Sequence, residues 1–296
     1  MPEPSWLGHA LSNTEFCLPC GHIASTPANI YRDKVNQCPR AIEDSRMETI
    51  SPELLREMAP TGTLRVATNL GNPVLAARDP ATGEFHGVTI DLAREMGRQL
   101  NLPVTFTPFN AAGKVFEAVP SNTLDVMFLA IDPVRAAEIL FTGPYVIIEG
   151  TYLVRAESQL RQIEEFDRDG VKIAVGKGAA YDLFLTRTLR HATLVRSDTS
   201  EEAIDLFIAQ NLDATAGVRQ PLLAYAAANP GFRVIEGRFT AIEQAVGTPK
   251  GRPSARAWLQ GFVEDMKRTG FVAAALERHR QHGASVAPPC PSWPVF

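Results

Sequence analysis

The chain has 296 residues, 45% of them apolar and 21% charged, which suits a globular protein able to bury a sizeable core in one or two domains. A net charge of −4 and a pI near 5.9 supply no basic footprint for nucleic acid or an anionic membrane surface. No apolar run approaches the roughly 18 residues that cross a bilayer, so membrane insertion is not expected.

The first 46 residues keep no period of 2 or 3.6 and scatter Pro, Asn, Ser and Cys, the composition of an accessory or disordered segment. Translation starting instead at Met47 would omit them. No Lys or Arg precedes Arg32 and no continuous apolar run forms an h-region, so no secretory signal is read. The chain as encoded is expected in the cytoplasm. Cys17 and Cys20 form a CxxC with His22 and Cys38 nearby, a ligand set for zinc that lacks a second paired spacing. Incidental cysteines in a loose extension are the preferred reading, with the metal site and then a redox pair as the alternatives.

From Met47 the pattern sharpens. Ser51 caps a short helix that has Pro52 at its first position and runs through Leu54, Leu55 and Met58. LRVATN (64–69) reads as a strand, and a helix from Asp91 carries Leu92, Met96 and Leu100 on one face, with Asp91 as its cap. VTFTPF (104–109), a short helix near Val115, Phe116 and Val119, and LDVMFLA (124–130) complete a first βαβ set with a parallel sheet. A second set runs from VKIAVG (171–176) through a helix bearing Tyr181, Phe184, Leu185 and Thr188 to TLVRS (193–197). There Thr199 and Glu202 form a capping box ahead of a helix that leads into LDATAG (212–217). The stretches NTLDVMFLAIDPVRA and QNLDATAGVRQPLLA echo each other, each with Leu-Asp, a short strand, then Val-Arg opening a helix. Two units built on one plan and facing across a cleft are expected. The tail returns with EQAVGTPKG (243–251), a helix bearing Trp258, Phe262 and Met266, and a last helix from Phe271 that packs on the first unit. Its run ERHRQH is read as a solvated face.

Arg135 is the chemical anomaly, a guanidinium amid Ile131, Val134, Ile139, Leu140 and Phe141. Buried alone it would cost several kcal/mol, so it either reaches water along its stem or holds an anion. VGKGAAYD with Asp198 twenty residues beyond Gly178 approaches a dinucleotide fingerprint, but Tyr181 stands where the third glycine is needed for close helix packing.

GTLRVATN, GEFHGVTIDLAREMGRQL, LDVMFLAIDPVRAAEILFTGPYV, VKIAVGKGAAYDLFL and FVEDMKRTGFVAAALERH, in that order from Thr63 to His282, resemble the family 3 extracellular solute-binding proteins, the periplasmic amino-acid-binding receptors of ABC transporters. The resemblance implies an α/β, type II periplasmic-binding-protein-like fold of two lobes joined by two crossing strands, near 151–157 and 243–247, that close by hinge motion. It divides the chain into an extension (1–61), lobe 1 (62–153 plus 244–286), lobe 2 (154–243) and a tail (287–296). It implies a periplasmic location, at odds with the missing signal, and a monomer that serves an ABC permease or, in the cytoplasm, a signalling partner. No metal or organic cofactor is implied.

By the same resemblance Arg135, followed by Phe141, Thr142, Pro144 and Tyr145 in a spacer one residue longer than the family's, grips a ligand carboxylate. A guanidinium fork makes two parallel bonds to a carboxylate, and a helix amino end beside it would add a favourable dipole. Other ligand positions fall on Asn69, Asn72, Phe109, Leu129, Ala130, Asp132, Gly178, Ala179, Ala180, Val218 and Gln244. The departures are Ala112 where the family often has an aromatic clamp, alanines at 130, 179 and 180 for hydroxyls, and Val218 for the carboxylate that grips an α-ammonium. The expected ligand is therefore a small carboxylate-bearing molecule, amino-acid-like or an organic acid, with a deaminated acid favoured. Cyclohexadienyl dehydratases, relatives that use a cleft acid to expel water and carbon dioxide, supply the rival reading, with Asp132, Glu149 and Glu243 as candidate acids.

Overall fold

The computed structural model describes residues 50–290. The expectations placed on residues 1–46, including Cys17, Cys20, His22 and Cys38, lie outside the described residues.

Ser51 accepts the Leu54 N–H at 3.1 Å and starts α1 (Pro52–Met58) as the cap rule requires. The chain continues through β1 (Leu64–Asn69), the hairpin β2 (Ala77–Arg78) and β3 (Phe85–His86), α2 (Val88–Leu100), β4 (Val104–Phe109), α3 (Ala112–Ala118) and β5 (Val126–Ala130). A long strand β6 (Ile139–Arg155) leads to β7 (Lys172–Gly176), α4 (Ala180–Thr188), β8 (Thr193–Ser197), α5 (Glu202–Ala209), β9 (Ala214–Val218), α6 (Arg219–Ala228) and β10 (Phe232–Val234). A second long strand, β11 (Thr240–Pro249), returns to α7 (Pro253–Arg268), α8 (Phe271–Arg278) and the short β12 (Ser285–Val286).

The sheet order is β4-β1-β5-β11-β6-β9-β7-β8. Two parallel trios, β4-β1-β5 and β9-β7-β8, flank a central antiparallel pair, β11 and β6. The crossings differ from the expected ones because neither strand stops at the boundary. Residues 150–155 of β6 already pair with β9 and β10, and 244–247 of β11 already pair with β5, so the transit lies earlier along both strands.

Parallel strands covered on both faces read as nearly continuous apolar runs, and β5 is buried throughout. Leu64, Val66 and Val126 join a large cluster with Leu92, Met96 and Trp258, while Ala67, Met127 and Leu129 face a second one with Val115 and Phe141. The second trio has its own small cluster of Leu153, Ala174, Phe207 and Leu222. The returning α7 packs on β6, β11 and α1, and β12 adds to β6. The capping box forms as the spacing predicts, with Thr199 N–H donating to Glu202 and Glu202 N–H donating to Thr199.

Two expectations change. Asp91 is not a cap, because α2 begins three residues earlier, after Gly87. Its carboxylate instead accepts from Arg278 at 2.6 Å and lies 2.9 Å from His279 Nε2, tying α2 to the end of α8. His279 is thus held in a half-buried pair rather than on a solvated face. Nor does Val-Arg at 134–135 open an α-helix: the segment Arg135–Ala137 is a single 3₁₀ turn, too short to lend a helix dipole to an anion.

Candidate functional site

The carboxyl ends of β1, β5, β7 and β9 converge on a cavity of about 40 Å³ lined by 14 residues, among them Asn69, Asn72, Leu129, Ala130, Arg135, Ala179, Ala180, Val218 and Gln244. This is where open parallel sheets place ligands, beyond the strand ends where the loops begin. Gly71, Ala112, Tyr181, Ser200 and Ile242 complete the lining. Of the expected positions, three stand outside it. Phe109 sits in the second apolar cluster, Gly178 contributes its carbonyl behind the lining, and Asp132 turns to other partners.

Arg135 is 1% exposed. Its Nη1 donates to the Ala130 carbonyl at 2.9 Å and its Nη2 to the Gly178 carbonyl at 2.8 Å, whereas Nε is buried with no partner. Burial lowers its pKa to about 10; Asp132 supports the charge and Arg187 opposes it. The group is therefore still a cation at neutral pH, and its neutral carbonyl partners do not cancel the charge.

The Arg135–Gly178 bond joins the two trios, and two further contacts do the same. Asp132 accepts the Val134 N–H at 2.9 Å and an Arg187 N–H at 2.6 Å from α4. Gly113, in the first turn of α3, meets the Lys177–Gly178 backbone so closely that a Cβ on it would lie 2.8 Å from the Lys177 carbonyl oxygen.

The remaining polar lining is uncharged. Asn69 Oδ1 accepts the Gly71 N–H at 3.1 Å, and the buried Asn72 Oδ1 has no partner. Tyr181, buried so that its hydroxyl pKa is raised, donates to Ser200 Oγ at 2.8 Å. Arg135 is thus the one formal charge in the lining. None of the candidate acids reaches it. Asp132 is paired as above, Glu149 accepts from Arg219 at 2.6 Å and Arg238 at 2.9 Å, and Glu243 lies between Ile242 and Gln244, whose alternating side chains face the cavity while its own does not. Among the described residues no group of three or more His, Cys, Asp or Glu gathers to hold a metal.

Ser200, Ile242 and Gly71 had no signal in the sequence. Ile242 follows from Gln244 once β11 is known to be a strand, since alternate residues share a face.

A two-part α/β fold with a lined cavity at the strand ends between its parts defines a binding-protein architecture. The chain belongs to the bacterial extracellular solute-binding proteins, family 3, whose model matches residues 64–282. Solved structures agree on the fold. A mutant of ArgBP from T. maritima is 19% identical with a TM-score of 0.66, over 77% of this chain and 100% of that one. The solute receptor for L-cysteine of Neisseria gonorrhoeae is 23% identical with a TM-score of 0.66, over 77% and 93%. An ancestral amino acid-binding protein, described as a precursor of cyclohexadienyl dehydratase, is 25% identical with a TM-score of 0.64, over 76% and 98%. Among the described residues no helix is long and apolar enough to cross a membrane.

Proposed function

We propose that the chain captures a small carboxylate-bearing solute in this cavity and presents it to an ABC permease. The observation that carries the reading is Arg135, a buried cation in the cavity wall whose Nε has no partner and whose charge no lining residue balances. A buried charge in that state favours an anion strongly. The two parts, one built on each parallel trio, act as lobes that open and close by bending β6 and β11 in the stretch before residue 150 of β6 and before residue 244 of β11, and the bonds from Arg135 and Asp132 across to Gly178 and Arg187 hold the closed form.

A thermal-shift panel of small carboxylates, each beside its uncharged amide, tests the capture. A ligand at 100 times its dissociation constant stabilises the folded state by about 2.7 kcal/mol, so acids should raise the melting temperature and amides should not. Equal shifts for both would remove Arg135 from the site.

Binding without turnover is part of the proposal, supported by the lack of any carboxylate in the lining. Product from prephenate or arogenate at useful rates would overturn it in favour of the dehydratase reading. Transport is preferred to sensing because the family is named for extracellular solute binding. Fractionation of the tagged full-length chain tests that preference, and a purely cytoplasmic chain would move the reading to an internal sensor.

A further inference from the structure

Resting on the carboxylate reading, the polar atoms of the cavity also define what the solute carries beside its carboxylate. Arg135 Nε is an unmatched donor and Asn72 Oδ1 an unmatched acceptor, both buried at the cavity wall. A molecule that satisfies both brings an anionic oxygen to the first and an N–H or O–H to the second.

The charge inventory decides between those two donors. An ammonium would enter a site whose lining holds a cation and no carboxylate, beside polar groups that are all neutral amides and hydroxyls. The nearby Asp132 is committed to Arg187 and to the Val134 N–H. Glu149 is held by Arg219 and Arg238, and Glu243 faces away. A buried ammonium without a counter-charge is penalised far more than a hydroxyl that finds one acceptor. A keto oxygen escapes the charge penalty but leaves Asn72 Oδ1 unmatched. The rest of the wall, Leu129, Ile242, Val218, Ala112, Ala179 and Ala180, is apolar and suits a short hydrocarbon side chain.

We propose that the solute is a hydroxycarboxylate, its carboxylate on Arg135 and its hydroxyl donating to Asn72 Oδ1, and that the corresponding α-amino acid is rejected.

Calorimetry on the full-length protein with matched triplets tests this: lactate, pyruvate and alanine; 2-hydroxyisovalerate, 2-oxoisovalerate and valine; phenyllactate, phenylpyruvate and phenylalanine. Within at least one triplet the hydroxy acid should bind tightest, and about tenfold or more tighter than the amino acid, as expected for an unpaired buried charge. An amino acid binding as tightly as its hydroxy partner overturns the inference, and carboxylate capture survives if Arg135→Lys still weakens the acid. A keto acid equal to its hydroxy partner overturns the role of Asn72. Absence of binding across all nine compounds overturns the inference and the carboxylate reading together.

Asn72→Asp, a near-isosteric change, supplies the missing counter-charge and should shift the amino-to-hydroxy preference about tenfold or more towards the amino acid. If that variant misfolds, Val218→Asp puts the carboxylate on another lining residue, at the N-cap of α6 where aspartate is well tolerated. A folded variant of either kind that leaves the preference unchanged overturns the inference.

Discussion

The two trios contain the same turn, stabilised to different degrees. In the first, Asp125 N–H donates to the Arg65 carbonyl at 2.8 Å and Arg65 N–H donates back to Asp125 Oδ2 at 3.1 Å. In the second, Asp213 N–H donates to the Lys172 carbonyl at 3.0 Å and Lys172 N–H to Asp213 Oδ2 at 2.8 Å. Each reciprocal pair sits one residue before the register in which the neighbouring parallel strands meet, Val66 with Val126 and Ile173 with Ala214. Each Leu before the Asp is buried. Asp213, however, is exposed and holds only backbone, whereas Asp125 is fully buried and also takes Arg65 Nε and Nη2 at 2.8 Å and Arg252 Nη1 at 2.7 Å. Both trios come from continuous stretches, residues 64–130 and 172–218. The first must be joined to residues that return after β11, and Arg252 at the N-cap of α7 makes that join. The ion cluster stands where distant chain segments meet, whereas Asp213 holds only the Lys172 backbone.

Removing the carboxylates tests this contrast most severely. Asp125→Asn leaves Arg65 and Arg252 without their counter-charge and should cost about 3–5 kcal/mol in denaturant unfolding, against about 1 kcal/mol for Asp213→Asn. Equal losses would mean the cluster adds nothing to the turn.

The arginines that follow the two strands give the next largest contrast. Arg135 reaches the cavity, while Arg219 turns to Glu149 and the Gly237 carbonyl. Arg135→Lys should weaken binding of the carboxylate ligand by about 1.5–3 kcal/mol, since a point charge cannot reproduce the planar fork. Arg219→Lys should leave affinity unchanged by calorimetry, and a matching loss there would spread the site beyond the cavity.

The smallest effect sharpens the comparison through pH. Burial pushes the Asp125 carboxyl up, but the bonds from Arg65 and Arg252 outweigh it and hold its pKa below the ordinary value. It therefore contributes stability above the ordinary carboxylate range that is lost as pH falls through its folded pKa. Glu243, on the strand that joins the trios, has its pKa raised by burial. Its sign is opposite: stability is lost as pH rises from the unfolded value through the raised folded one. Glu243→Gln should therefore raise the melting temperature at pH 7 and leave it unchanged well below pH 4. A variant less stable at pH 7 would show that the ionised side chain has a favourable partner.

Much of this architecture was legible in the sequence. The strands of both trios follow from their apolar runs, and the Leu-Asp echo pointed to two units of one plan. Arg135 stood out because a guanidinium in an apolar stretch needs an explanation, although its carbonyl partners five and 43 residues away did not show. Asp132 was misplaced for the same reason, since Arg187 lies 55 residues on and only the meeting of α4 with the first trio brings it to 2.6 Å. A glycine start leaves no cap signal, so the sequence offers Asp91, the first acidic residue, as the beginning of a helix that starts at Val88. Ser200 and Tyr181 entered the cavity wall through tertiary placement that periodicity does not encode.

The meeting of Gly113 with Gly178 bears on time rather than on affinity alone. A Cβ on Gly113 would stand 2.8 Å from the Lys177 carbonyl oxygen, inside any normal contact, so a single methyl there acts as a doorstop against the Lys177–Gly178 backbone. Gly113→Ala should leave the chemistry of recognition intact and shorten the residence of a captured molecule, as expected when the bound state is altered more than the encounter. On the closure proposed above, how long a solute stays is set in part by two residues with no side chain to touch it.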